Sequence, residues 1–152
     1  LASATIVVSV LALFNGAGRV IAGYISDKIG RINTLTVMLV LAVAALLLLY
    51  FCPVGGFVQF YIGIALVGVC FGSFMGVYPG FTADRFGAKN NSVNYGIMFI
   101  GFALAGLIGP SIMTSVYNSS GSYAPAFLIA IGLAVVGLAL SCVYRVMLKK
   151  QK

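Results

Sequence analysis

The chain has 152 residues, of which 62% are hydrophobic and only 7% charged, with nine Lys and Arg against two Asp and no His. A soluble domain carries about 25% charged residues, so this balance excludes a water-soluble fold and places the chain in lipid. The net charge of +7 does not point to nucleic acid. Eight of the nine basic residues (Lys28, Arg31, Arg85, Lys89, Arg145, Lys149, Lys150 and Lys152) fall in short stretches between, at the end of or after the apolar runs.

A helix needs about 20 predominantly apolar residues to cross the hydrocarbon, and five such runs follow one another. The first, 4–25, is broken by Ser26-Asp27-Lys28-Ile29-Gly30-Arg31. The second, 34–51, ends at Pro53 with Gly55 and Gly56. The third, 57–81, is followed by a polar stretch from Asp84 to Asn91, and the fourth, 93–117, is closed by Asn118-Ser119-Ser120-Gly121-Ser122. The fifth, 125–147, precedes a Lys-rich end. The second run, with Leu46 to Leu49 in a row, does not alternate in polarity as a transmembrane β-strand would, so the expected fold is all-α, with five transmembrane helices.

Basic residues are retained on the cytoplasmic side. The loops 26–33 and 83–92 and the C-terminus are therefore expected inside, and the two uncharged connections outside. An odd number of spans beginning at Leu1 reads as a fragment whose remaining half, and the membrane lipid, would be its partners. Cys52, Cys70 and Cys142 stand alone, with no C-x-x-C spacing, and read as small packing residues rather than a disulfide framework or metal site. No cofactor is expected.

A short pattern occurs twice. Gly23-x-x-x-Asp27-Lys28-x-Gly30 recurs as Gly80-x-x-x-Asp84-Arg85-x-Gly87, each at the end of an outward-to-inward span. The first Gly of each would allow close helix approach and the second a positive φ in a tight turn. The Asp would favour a helix N-terminus, and the adjacent cation would stay at the inner surface. A short inside loop can also collect such residues for no special reason.

The stretch from Gly23 to Arg31 resembles the cytoplasmic signature of the major facilitator superfamily in the form found after the eighth helix, except that Ile32 stands where a second basic residue is common. Asn15-Gly16-x-Gly18-Arg19, Gly76-x-Tyr78-Pro79-Gly80 with Ala83-Asp84-x-Phe86-Gly87, and Asn94-Tyr95-Gly96 with Gly106-x-x-Gly109-Pro110 are similar to the oxalate/formate antiporter family. That resemblance implies a twelve-helix carrier of small organic anions. This chain would supply helices eight to twelve of its C-terminal six-helix bundle, with the cytoplasmic pattern acting as a conformational latch.

Arg19 is the single basic residue deep inside a span, and a charge there is costly enough to mark a functional site. It lies eight residues before Asp27, roughly 12 Å from the cytoplasmic turn at about 1.5 Å per residue. Its guanidinium can fork onto a carboxylate, and Asn15, one turn away on the same face, can donate to the same anion. A structural Arg that snorkels or pairs with the absent half is the competing reading. The resemblance favours a carboxylate ligand.

On the third span Gly68, Gly72, Gly76 and Gly80 recur every four residues, a stripe suited to close helix packing. Phe71, Phe74 and Tyr78 fall roughly opposite, and Tyr95, Phe99 and Phe102 form a similar stripe on the fourth span. Such stripes either pack or face a cavity; the resemblance implies a cavity role for Phe74, Tyr78 and Phe99, and places Phe102 where dicarboxylate carriers can hold a second cation. One Arg suits a monocarboxylate better than a dianion. Pro79 and Pro110 interrupt apolar helices as hinges or as plain kinks.

No carboxylate lies in mid-membrane to relay protons, which makes exchange of anions the simpler expectation. An enzyme would need a nucleophile with its base, a carboxylate pair or a metal cluster, and the sequence supplies none. A channel subunit or a non-transporting scaffold remains open on composition alone.

Overall fold

A computed structural model describes the backbone of residues 2–53 and 55–150 and the side chains of 4–53 and 55–148. The basic tail expected inside falls on Lys149, Lys150 and Lys152, whose side chains lie outside the described residues. In hydrocarbon no water reaches a backbone N–H or C=O, so each apolar run must satisfy its own peptide groups, and a helix does this within one segment. Among the described residues five helices result: α1 (Ala2–Ile29), α2 (Arg31–Tyr50), α3 (Phe57–Phe86), α4 (Asn91–Ser120) and α5 (Ala124–Lys150). All five are long and apolar enough to cross a membrane.

The helices outrun the apolar segments that predict them. The stretch 26–33, expected as a loop, is helical except at Gly30, and 83–92 is helical up to Phe86 and again from Asn91. The end of an apolar run marks the edge of the hydrocarbon, whereas a helix stops only where the backbone leaves helical torsions. Gly30 does so at φ 87°, ψ 146°, and Gly87 at φ 86°, ψ 149°. This region is essentially closed to residues with a Cβ. The fourth run likewise continues through Asn118 and Ser119 and stops at Gly121, which takes the left-handed conformation at φ 66° and donates its N–H to the Tyr117 carbonyl at 2.8 Å.

The tightest packing is α1 against α3. A Cβ built on Gly68 would meet the Leu11 carbonyl, one on Gly72 the Asn15 backbone, and one on Gly76 the Arg19 backbone. From the other side, Gly18 presses on the Val69 backbone. The Gly stripe thus brings two backbones together where ordinary side chains would hold them apart. Ser73 Oγ, buried in this contact, lies 2.6 Å from the Val69 carbonyl and 3.3 Å from the Gly18 carbonyl of the facing helix.

Below this crossing Ala22 of α1, Leu35 and Met38 of α2 and Val77 of α3 form the buried core, with Phe74, Tyr78 and Phe81 packed around it. Gln59 donates to the Leu48 carbonyl at 2.8 Å, joining α3 to α2 near their other ends. Thr36 and Ser141 hydroxyls share a hydrogen bond of 2.8 Å between α2 and α5. The fourth helix packs beside α3 and α5 and buries none of its residues within the segment.

Candidate functional site

Three groups of candidate residues emerge from this packing. The first is on α1. The α1–α3 crossing fixes the backbone of Asn15 and Arg19 against Gly72 and Gly76, so two of the four striped glycines locate the Arg19 cation. Arg19 Nε donates to Asn15 Oδ1 at 3.1 Å. The Asn15 carbonyl oxygen accepts from the guanidinium and orients it, and its amide NH2, the group expected to donate to an anion beside Arg19, is not used in that contact. The terminal nitrogens of Arg19 carry no hydrogen bond among the described residues, and the side chain is exposed.

The second group is aromatic. Phe74 and Tyr78 of α3 stack at 6.0 Å between ring centroids, and Tyr95, Phe99 and Phe102 of α4 run in contact at 5.5 and 4.8 Å. Phe71 meets Phe102 across the two helices at 5.7 Å. Together with Leu39, Met75, Met98 and Gly101 these rings line a half-open cavity of about 460 Å³. The packing of α4 beside α3 brings Phe74, Tyr78 and Phe99 together around one space. Arg19 and Asn15 are not among its lining residues. Leu39, Met75 and Met98 had given no sign in the sequence, because an apolar residue on an apolar helix does not announce which neighbour it meets.

The third group joins the two repeated turns. Arg31, the first residue of α2, sets Nε 2.7 Å from Asp84 Oδ2 at the end of α3 and NH2 3.6 Å from Asp27 Oδ1 at the end of α1. Both aspartates lie in the last turn of their own helix, near its negative dipole end, rather than at an N-terminus as the sequence suggested. The shared Arg offsets that unfavourable position. Gly80 makes the arrangement possible: a Cβ there would occupy the place of the Arg31 guanidinium. Its expected part in helix–helix packing is thus replaced by room for a side chain. Gly23, the equivalent residue of the first copy, has nothing within 4 Å of a would-be Cβ among the described residues. Lys28 and Arg85 lie instead over the rings of Tyr24 and Tyr144, at 4.5 and 5.7 Å.

Asn91, opening α4, donates to the Pro79 carbonyl at 3.3 Å and so ties the start of α4 to the Pro-containing turn of α3. Nothing in the local sequence pairs these two residues.

Long apolar helices crossing on a glycine stripe, with glycine turns tied by one arginine, make this a segment of a helical membrane protein. The chain belongs to the Major Facilitator Superfamily, which it matches along residues 1–152. Among curated proteins it is 34% identical over 105 residues to an uncharacterized MFS-type transporter, YhjX, of Escherichia coli strain K12, covering 69% of this chain and 26% of that protein. It is 31% identical over 137 residues to the oxalate:formate antiporter of Oxalobacter formigenes, covering 90% of this chain and 32% of that protein. The chain thus spans between a quarter and a third of the length of these relatives. No solved structure matches it.

Proposed function

We propose that this segment is part of a carrier that moves a small organic anion, a monocarboxylate in particular, across the membrane by alternating access. The observation that supports this most is Arg19. It is held against α3 by a glycine contact, oriented by Asn15 through Nε, and left with its terminal nitrogens free to take a carboxylate. The likeness to an oxalate:formate antiporter fits the same chemistry. In this reading Phe74, Tyr78 and Phe99, which line a pocket that Arg19 does not, form one apolar wall of a larger transport cavity, to which α1 contributes Arg19 and the half of the carrier beyond this chain the rest. The segment would supply helices eight to twelve of a twelve-helix protein.

The Asp27–Arg31–Asp84 contacts hold the two turns together in this conformation, together with Gly23, Lys28, Gly30, Gly80, Arg85 and Gly87 of the repeated pattern. Alternating access requires contacts that form in one state and break in another, and an exposed ion-pair set is weak enough to do so. The basic residues of these turns orient the turns and the C-terminus to the cytoplasm.

The test is exchange of labelled formate, lactate, pyruvate or oxalate by the full-length protein in liposomes, comparing wild type with Arg19→Gln. Saturable exchange of one acid, lost in a variant that still folds and inserts, is the expected result. Exchange that survives the substitution makes Arg19 structural, and absence of exchange with every acid removes the organic-anion reading.

A further inference from the structure

We propose that a groove between α2, α3 and α5, at the basic end of the bundle, binds one anionic phospholipid, with an acyl chain in the groove and the phosphate on Arg85. The groove has a volume of about 410 Å³ and is lined by Leu35, Leu39, Phe81, Leu140 and Tyr144 among others. Gly137 keeps it open from the α5 side. Its wall is apolar apart from the Ser141 and Tyr78 and Tyr144 hydroxyls, and Ser141 is already paired with Thr36.

The charge at its mouth identifies the occupant. Tyr144 packs edge-on against Phe81 at 5.9 Å and carries the Arg85 guanidinium 5.7 Å from its ring centroid. The chain has only two side-chain carboxylates, Asp27 and Asp84, and both are engaged by Arg31. Arg85, and Arg145 next to Tyr144 in the chain, therefore have no carboxylate partner among the described residues, although both are exposed. A guanidinium over an apolar groove is matched by a molecule with an anionic head and an apolar tail. A phosphate accepts the planar fork of Arg, and anionic lipid attracts basic residues near the membrane surface. A neutral lipid would leave the guanidinium unmatched, and a small soluble anion would leave the groove unfilled.

The groove is not isolated. Leu39 and Tyr78 line both it and the aromatic cavity, so a bound tail rests against the other side of the same wall. Lipid occupancy would then stiffen the ring that faces the cavity.

The experiment is native mass spectrometry of the full-length protein in detergent, titrated with phosphatidylglycerol or with phosphatidylcholine of the same acyl chains. Wild type, Arg85→Gln and Gly137→Phe are compared. A Cβ on Gly137 meets only Leu39 Cδ2 at 3.5 Å, an ordinary contact, so the added ring extends into the groove. One phosphatidylglycerol bound in preference to phosphatidylcholine is expected, about fivefold weaker in Arg85→Gln and lost in Gly137→Phe. Arg85 is exposed, so its replacement leaves the fold intact and the headgroup arm readable even if the bulky variant does not fold. Equal binding of the two lipids, unchanged binding in Arg85→Gln, or no bound lipid in wild type because another part of the protein fills the groove would each overturn the proposal.

Discussion

Replacing Gly76 with Ala tests whether the α1–α3 crossing sets the position of Arg19. The new Cβ would lie 2.7 Å from the Arg19 carbonyl oxygen and 3.1 Å from its Cα, whereas ordinary contact begins at 3.4 Å. The neighbour is backbone, so relief requires moving α1 by roughly 0.7 Å, a shift large enough to matter for a bound ligand. Overpacking of this kind costs about 1–3 kcal/mol. Alanine also favours a helix over glycine by up to about 1 kcal/mol, and that gain must be removed from the comparison. Gly96→Ala does this, because Gly96 is helical with nothing within 4 Å of its would-be Cβ. Unfolding of the full-length protein in mixed micelles, followed by circular dichroism, should place Gly76→Ala about 1–3 kcal/mol below Gly96→Ala, and anion exchange in liposomes should fall only in the former. Equal stability of the two variants would refute the claim that backbone contact limits this crossing.

Three further outcomes are expected. Arg31→Gln, Asp84→Asn and Gly80→Ala each disrupt the same ion-pair set, so their effects on exchange should fail to add in double variants; additive effects would separate Gly80 from the Arg31 contact. Because these groups are partly exposed, the stability change should stay within about 1 kcal/mol. Gly30→Ala and Gly87→Ala should each cost about 1–3 kcal/mol from backbone strain, while Gly121→Asn, at a left-handed position that Asn tolerates, should be nearly neutral; comparable melting of all three would contradict the torsional argument. A double-mutant cycle on Thr36→Ala and Ser141→Ala should show a coupling of about 0.6 kcal/mol in micelle unfolding, and no coupling would mean that the hydroxyl pair does not join α2 to α5.

Much of the architecture was legible because lipid imposes a simple rule: a long apolar run must be a helix. The turns were legible in kind, since Gly30 and Gly87 stood where positive φ was needed, but not in extent, since hydropathy marks the membrane edge and polar residues such as Asp27 and Lys28 are content in a helix. The Gly68, Gly72 and Gly76 stripe showed which face of α3 approaches another backbone. It could not show that the partner was α1. Gly80 shares the same spacing yet accommodates a guanidinium from 49 residues earlier in the chain. The Arg31–Asp84 contact, 53 residues apart, has no local signal at all. The same holds for Asn91 and Pro79. At the candidate site, helical spacing was enough to group Phe74 with Tyr78, and Tyr95 with Phe99. Bringing the two stripes around one cavity required the packing of α3 beside α4.

The uneven burial of the five helices also sets the order in which the segment comes apart. Alpha-helical units open with free energies that follow their buried contacts. The helix α4 buries nothing within the segment, whereas α1 and α3 are locked backbone to backbone. Under a pulling force or rising detergent stress, the wall formed by α4 therefore yields first, and the glycine-seamed pair of α1 and α3 is the last element to separate.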